Sequence, residues 1–423
     1  MLRLGRRSYP EGLAIFTSFA HNRAVEMSIG RQVRRLREAA GLKAADLATA
    51  LGLDPSAVSN LENDRRGVKA DELGAIAGFL GVSQLAILEP DSLLGRLPMA
   101  HRTNGDDGDS RDARMRITAL AELHQVLSDG GHPAAGRMGE PPKPETRWLQ
   151  HAIALADWAL RSLAPEAEGE DRLTELAAVI EDRLGVDVMV EGLGKDAPLG
   201  LSITDAEFSF ILVNADQFRS RALFTLAHEL GHVLNRDGAT INIDNDMRAR
   251  TDEERLANAF AATFLMPEPE VREAIDQFGR GADCLARMLL RFGVSYETLV
   301  YRLHNLGIIN AEGRDRLRRI RWASLIDHLD DDEIARNLLA ARGARPERRP
   351  PTLLTTRCLH GVRDGTVGAG PLARLLDVDV DDMIAALNSI GPEAADAIDS
   401  DYSAPEDPPH IALQSFDEDP VAA

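Results

Sequence analysis

The stretch Thr225-Leu226-Ala227-His228-Glu229-Leu230-Gly231-His232 contains two histidines four residues apart, with a glutamate directly after the first. On a helix of about 3.6 residues per turn, His228 and His232 lie about 40° from each other, so both imidazoles can reach one metal ion. Glu229 lies on the same helix and is placed to take a proton from a metal-activated water. The spacing predicts a metal-binding helix over 221–234 with hydrolytic chemistry.

A second predicted helix supplies the third ligand. The segment 252–262 contains no Gly or Pro and is typical of a helix. Hydrolytic zinc sites use three protein ligands, and two imidazoles plus one carboxylate satisfy that requirement. We predict Glu254 as this ligand because Asn258, four residues later, faces the same way and can hold an imidazole N–H. Glu253 points about 100° away and is the alternative ligand, while an ordinary solvated acidic first turn is the alternative interpretation.

Between residues 149 and 310 the chain resembles the ImmA/IrrE family of metallopeptidases, through four blocks in order: FSFILVN (208–214), FTLAHELGH (224–232), ANAFAA (257–262) and FLMP (264–267). The resemblance implies a gluzincin-like fold in which His228, His232 and Glu254 bind the metal and Glu229 is the general base. It also implies a protein target, typically a repressor cleaved in response to stress. Family members often have a Glu directly before the Ala-Asn pair, where this chain has Leu256.

The metal itself is predicted from the ligand types. Imidazole and carboxylate ligands accept both Zn²⁺ and Mn²⁺, and preferred geometry favours Zn²⁺. Further along the chain, Tyr301, Arg302 and His304 are candidates to stabilise an oxyanion. A structural role for these three side chains is the favoured interpretation.

Five short helices are predicted near the N-terminus, over 29–41, 43–51, 54–63, 70–80 and 83–88. Asp54 is a good N-cap and Pro55 a good first helical residue. The pattern resembles the helix-turn-helix of the XRE (Cro/repressor-like) family over residues 28–88. Members often begin the first helix of the pair with Ser-Gln, and Lys43-Ala44 stands here instead.

That resemblance implies DNA binding through the second helix of the pair, whose N-terminal residues would reach base edges. The residues predicted by position to contact bases are Ser56, Ala57, Ser59 and Asn60. The residues predicted to contact phosphates are Asn63, Arg65, Arg66, Arg34 and Arg37. A helical dimerisation or docking module is the alternative interpretation of this region.

The chain has 423 residues, enough for two to four domains, and we predict an α+β fold that is mostly α. Residues 28–90 form the predicted five-helix helix-turn-helix domain, and 91–147 a linker that is flexible or contains a docking helix over 111–127. Residues 148–310 form the predicted metallopeptidase domain, whose small sheet includes strands at 186–190 and 208–213. A helical C-terminal region is predicted over 311–403, with one charged helical stretch at 314–339, followed by an acidic, disordered tail over 404–423.

The formal net charge of −20 argues against a general nucleic-acid binder, but the charge is uneven. Residues 1–43 contain nine Lys or Arg against three Asp or Glu, whereas residues 375–423 contain thirteen acidic residues and no Lys or Arg. Two cysteines form no disulfide framework, which favours a reducing cytoplasm. No stretch is long enough to cross a bilayer, so we expect no membrane partner.

Two functions of different class fit these patterns. In the first, the chain is a DNA-binding zinc-type metallo-endopeptidase that cleaves a protein target, with a transcriptional repressor as the expected substrate. In the second, it is a helix-turn-helix regulator whose peptidase-like domain senses a metal or ligand without proteolysis. The first interpretation is favoured because every residue of the chemistry is present. An operator DNA and a homodimer are the other expected partners.

Overall fold

The structure is a computed structural model that describes residues 28–39, 42–80, 82, 84–88, 108–134, 136, 139–145, 147–165, 172–204, 208–235, 241–244, 251–320, 322–329 and 331–389. The first part of the predicted linker, residues 91–107, and the predicted acidic tail over 404–423 lie outside the described residues.

The N-terminal unit is a bundle of five helices, as predicted: α1 (Ile29–Ala39), α2 (Ala44–Leu51), α3 (Pro55–Glu62), α4 (Ala70–Leu80) and α5 (Gln84–Leu88). Its core contains Val33, Leu47, Val58 and Ile76, all fully buried. Asp54 accepts the backbone N–H of Ser56 at 2.8 Å, which caps α3. At the start of α2, the Asp46 side chain accepts the Lys43 backbone N–H at 2.9 Å, so a side chain three residues into the helix compensates for the missing N-cap side chain.

The remaining helices and strands follow in this order: α6 (Gly108–Asp129), α7 (Trp148–Leu163), α8 (Arg172–Leu184), β1 (Asp187–Glu191), β2 (Gly200–Thr204), β3 (Ser209–Asn214), α9 (Arg219–Asn235), β4 (Ile241–Asp244), α10 (Asp252–Leu265), α11 (Glu268–Phe278), α12 (Ala282–Phe292), α13 (Tyr296–Asn305), α14 (Ala311–Arg318), α15 (Trp322–Ile326), α16 (Asp332–Gly343), α17 (Thr352–Arg363), α18 (Ala369–Leu376) and α19 (Val380–Ser389). The predicted mostly helical α+β class with a small sheet is confirmed.

The sheet has the strand order β1-β3-β2-β4, with β1 parallel to β3 and the other neighbours antiparallel. The sequence predicted β1 and β3 but missed β2 and β4. Strand β2 reads Gly-Leu-Ser-Ile-Thr, and its glycine and small polar residues hide the apolar run that marks the other two strands.

Each face of the sheet belongs to a different core. Val188, Val190, Ile211 and Val213 pack in one cluster with residues of α8, α9 and α10. The opposite face packs against α6, α17 and α18, with Phe210 and Leu212 among its buried residues. The helix predicted inside the linker is present as α6 and packs in the core on this second face.

The C-terminal region differs from the prediction of one helical stretch over 314–339, because the chain there forms α14, α15 and α16. The Asp331 side chain accepts the backbone N–H groups of Glu333 at 2.8 Å and Ile334 at 3.2 Å and so caps the start of α16. A new helix therefore begins here, and the stretch is not one continuous helix.

Two buried carboxylates hold the beginning of α17 against the sheet. Glu181 accepts the backbone N–H of Thr352 at 2.8 Å, and Asp187 accepts that of Leu354 at 2.9 Å. Burial raises the pKa of Asp187 to about 7, and the nearby Glu181 adds to the rise. The hydrogen bond from the Leu354 backbone therefore links the protonation of the buried Asp187 carboxyl to the packing of α17 against the sheet.

Candidate metal centre

The metal-site helix α9 runs through the middle of the molecule. Every residue from Thr225 to Leu234 is buried, because α9 packs on the sheet with one face and against α8 and α10 with others. Such a helix is apolar nearly all round, so the polar side chains on it are conspicuous. His228 and Glu229 are fully buried and His232 is 2% exposed.

Two helices bring three metal-ligating atoms together. His228 Nε2 lies 3.1 Å from His232 Nε2 and 3.4 Å from Glu254 Oε2. His232 Nε2 lies 3.6 Å from Glu254 Oε1. Among the described residues, these three are the group of His, Cys, Asp and Glu side chains whose ligand atoms all lie within 4.8 Å of one another.

The donor set and its spacing fit a divalent metal ion. Zinc at about 2.0–2.1 Å from tetrahedral ligands places those ligand atoms about 3.3 Å apart, close to the three separations found here. Two imidazoles and one carboxylate also match the ligand types of hydrolytic zinc sites. That His228, His232 and Glu254 hold a metal stays a prediction, and the geometry fits it.

Local structure explains how Glu254 reaches the histidines. The Thr251 side chain accepts the Glu254 backbone N–H at 3.3 Å and caps α10, so Glu254 lies in the first turn of this helix. Gly231 lets α10 approach α9 closely, since a Cβ at that position would lie 3.0 Å from Phe260 Cδ1 and 3.2 Å from Ala257 Cα. Glu253, the alternative ligand, is exposed to solvent and is not part of the cluster.

The predicted general base points from α9 towards the sheet. The hydroxyl of Ser202 on β2 donates to Glu229 Oε2 at 2.7 Å, and both residues are fully buried. Sequence reasoning missed Ser202 because it missed the strand that carries it. The only signal available was a serine between two aliphatic residues, which is a weak one.

Other residues considered from the sequence have different places. Asn258 lies one turn after Glu254 on α10 and is partly buried, and its role beside the histidines stays a prediction. Arg302 donates from Nε to the Met266 carbonyl at 3.0 Å and from a terminal nitrogen to Thr263 Oγ1 at 3.1 Å. Burial lowers the pKa of Arg302. These contacts support the structural role that we favoured for this arginine.

In the helix-turn-helix domain, the residues of α3 predicted to contact bases are accessible to solvent. Ser56 and Ser59 are exposed, and Ala57 and Asn60 are partly exposed. Just beyond them Asn63 is exposed and donates to the Ser59 carbonyl at 2.7 Å, which secures the end of α3. Ser56 and Ala57 lie in the first turn of α3, where recognition helices contact base edges, and Ser59 and Asn60 lie one turn later.

The predicted phosphate contacts divide into two groups. Arg65 and Arg34 are exposed, although Arg34 Nε donates to Glu38 at 2.8 Å. Arg37 is a correction, because its side chain is 9% exposed and binds both oxygens of the buried Glu62, at 2.6 and 2.9 Å.

Arg66 is a second correction. It donates to the Ala57 carbonyl at 3.2 Å and to Glu72 at 2.8 Å, so it joins α3 to α4. Arg31, which sequence reasoning left out, is 62% exposed on the same helix as Arg34. The exposed arginines of α1 are therefore Arg31 and Arg34, whereas Arg37 is buried.

Within the described residues, no helix combines the length and apolar character needed to cross a membrane.

Comparison with known proteins shows what two parts of the chain are similar to. Residues 28–87 match the model of a helix-turn-helix domain, and residues 181–304 match the model of the IrrE N-terminal-like domain, a range that includes His228, His232, Glu254 and Glu229. The radiation response metalloprotease IrrE of Deinococcus radiodurans is 33% identical over 162 residues, which cover 36% of this chain and 47% of that protein.

The HTH-type transcriptional regulator PrpR of Mycobacterium tuberculosis is 24% identical over 335 residues, covering 66% of this chain and 63% of that protein. This chain was also matched to a solved structure of a Mycobacterium tuberculosis transcriptional regulator. The match covers 46% of this chain and 54% of that one, with 20% sequence identity and a TM-score of 0.28. Both curated matches span less than two thirds of the relative's own length. The chain thus combines a segment similar to a helix-turn-helix domain with a segment similar to the IrrE N-terminal-like domain.

Proposed function

We propose that this chain is a DNA-tethered regulatory metallo-endopeptidase that cleaves a protein target, a transcriptional repressor being the expected substrate. The observation that carries the proposal is the convergence of His228, His232 and Glu254 beside Glu229. These residues lie on two helices that are packed into the core. Burial keeps the ligand atoms in fixed positions, which a hydrolytic centre requires.

Each residue has a separate part in the proposed chemistry. His228, His232 and Glu254 would hold one divalent ion, with Zn²⁺ favoured over Mn²⁺. When bound, this ion supplies Lewis acidity that lowers the pKa of water and polarises a peptide carbonyl. Glu229 accepts the proton from the attacking water and passes it to the amine of the leaving peptide. Its buried position shields that proton transfer from bulk solvent.

The sheet offers a way to align a substrate. Strand β4 forms the outer edge of the described sheet, next to β2, which carries the hydroxyl bonded to Glu229. An extended peptide can add to such an edge through main-chain hydrogen bonds. This arrangement suits a segment of a protein target that is locally unfolded or lies in a loop.

The helix-turn-helix domain would bring the peptidase to its target. The exposed face of α3 and the arginines of α1 support binding to an operator, where a repressor is also found. We propose a homodimer as the DNA-binding form, because two recognition helices can then read half-sites one helical turn apart.

A regulator that senses a metal or ligand without proteolysis is the second candidate function. The match to a relative named a transcriptional regulator, which covers 66% of this chain, favours it. The two candidates differ in one property, the breaking of a peptide bond in a partner protein.

The test uses a Glu229→Gln full-length variant to capture intact partner proteins from the source cells, which are then incubated with the wild-type chain. We expect at least one captured protein to be cleaved by wild type and to stay whole with Glu229→Gln. The Glu253→Gln variant is the matched control, because it changes an exposed glutamate on α10 and should cleave like wild type. If the wild-type chain leaves every captured protein intact, the sensing regulator replaces the peptidase.

A further inference from the structure

We propose that Ser202 is a positioning residue for Glu229, holding the carboxylate of the general base in the orientation that proton transfer needs. This inference deepens the proposed function and rests on it. It starts from one contact, the 2.7 Å hydrogen bond from Ser202 Oγ to Glu229 Oε2.

The register of β2 directs Ser202 at the metal-site helix. Leu201 and Ile203 belong to the cluster on the opposite face of the sheet, so the alternate residues Gly200 and Ser202 face α9. A Cβ at Gly200 would lie 2.4 Å from Thr225 Cγ2 and 3.2 Å from Glu229 Cγ. Strand β2 therefore packs tightly against α9 beside Glu229, the proposed general base.

Packing alone does not explain a serine at this position. The neighbouring positions that face α8 and α9 on β1 and β3 are aliphatic, with Val188, Ile211 and Val213 fully buried. A buried hydroxyl costs free energy unless it forms a hydrogen bond, and Ser202 is 0% exposed. Its hydrogen bond to Glu229 Oε2 compensates for that cost.

The effect on Glu229 is to remove side-chain freedom. A glutamate has three rotatable side-chain bonds, and the hydrogen bond to Oε2 restricts the direction in which the carboxyl group points. Ser202 is also the register partner of Asn242 on β4, so it lies on the strand next to the proposed peptide edge. Ser202 thus connects β2, the strand next to the proposed substrate-binding edge, to Glu229, the proposed general base.

The experiment uses the full chain loaded with Co²⁺ and titrated with acetohydroxamic acid, followed by the Co²⁺ absorption bands. A hydroxamate chelates a divalent metal and donates a proton to a nearby carboxylate, so its affinity reports where the Glu229 carboxylate lies. No turnover is needed. Ser202→Ala should bind Co²⁺ with the wild-type stoichiometry and affinity, because it changes no proposed ligand. Its affinity for acetohydroxamic acid should fall by about fivefold to tenfold.

Two further variants separate positioning from packing. Ser202→Thr keeps the hydroxyl and should bind acetohydroxamic acid within about twofold of wild type, while Ser202→Cys keeps the volume and should lose affinity as Ser202→Ala does. Thr204→Ala is the matched control, because it removes a hydroxyl from the same face of β2 without touching Glu229.

Equal affinity in wild type, Ser202→Ala and Ser202→Cys would overturn the positioning role while leaving the metal centre intact. Absence of Co²⁺ binding by the wild-type chain would instead overturn the proposed function, and the positioning role with it.

Discussion

At the metal centre, polar side chains from α9 and α10 turn towards one another inside the core, whereas in the helix-turn-helix domain the arginines divide between core and solvent. His228 and His232 lie together as their helical spacing predicts, and Glu254 from the second helix joins their cluster. Arg37, which the helix-turn-helix resemblance predicted to contact phosphate, is instead bonded to Glu62 in the interior. Spacing along a helix thus predicts which residues can converge, but it does not predict which charged residues remain available to a partner.

The largest expected effect concerns the buried ion pair between Arg37 and Glu62. Glu62→Ala should destabilise the helix-turn-helix domain by about 3–5 kcal/mol, because it leaves the Arg37 charge buried without its carboxylate. Thermal unfolding followed by circular dichroism on the full chain measures it. Glu38→Ala is the control, since its carboxylate is exposed, and it should cost less than about 1 kcal/mol. Similar melting of the two variants would contradict the structural role of Arg37.

The packing between α9 and α10 gives the second prediction. Gly231→Ala should lower the affinity for Zn²⁺ roughly tenfold, because the new methyl group would push Phe260 and the α10 backbone away and move Glu254. Competition with a chelator dye measures this affinity. Gly74→Ala is the control, because its Cβ would meet only a side-chain nitrogen at 3.5 Å in the other domain. Unchanged zinc affinity in Gly231→Ala would show that the helices can separate without moving the ligand.

The third prediction concerns the buried Asp187 carboxyl. Because burial raises its pKa to about 7, above the value of about 3.9 in an unfolded chain, the folded state binds the proton more tightly. The stabilisation from this group is therefore complete below about pH 4 and is lost as the pH rises through 7. Asp187→Asn should lose less stability than wild type between about pH 4.5 and 7.5, measured by urea unfolding. If the free energy of unfolding changes with pH in parallel for wild type and Asp187→Asn, the prediction is wrong.

The smallest effect belongs to the exposed arginines. Arg34→Gln should weaken retention on DNA by a few fold and reduce the salt dependence by about one unit of slope, because one phosphate contact is lost. Retention of the full chain on duplex DNA over a series of salt concentrations measures both quantities. Arg255→Gln, on the metallopeptidase domain, is the charge-matched control. An equal salt slope for wild type and Arg34→Gln would remove α1 from the DNA-binding surface.

Sequence reasoning located the helices and the pair His228 and His232 because both follow from local periodicity. Glu254 lies on a separate helix, which Thr251 caps, and its choice depended on Asn258 four residues later and on the family resemblance. Ser202 could not be found in this way, since its contact joins residues 27 positions apart on a strand too short and too polar to predict. The burial of Arg37 likewise depends on a partner 25 residues away, which no local pattern reveals.

The most direct test of the account is the metal content of the purified full-length chain and of its Glu254→Gln variant, measured by mass spectrometry after dialysis against a weak chelator. The account predicts about one zinc per wild-type chain and a large loss in Glu254→Gln, with Glu253→Gln keeping the wild-type content. A wild-type chain without metal, or a Glu254→Gln variant that retains zinc as wild type does, would contradict the claim that these three side chains form a metal centre.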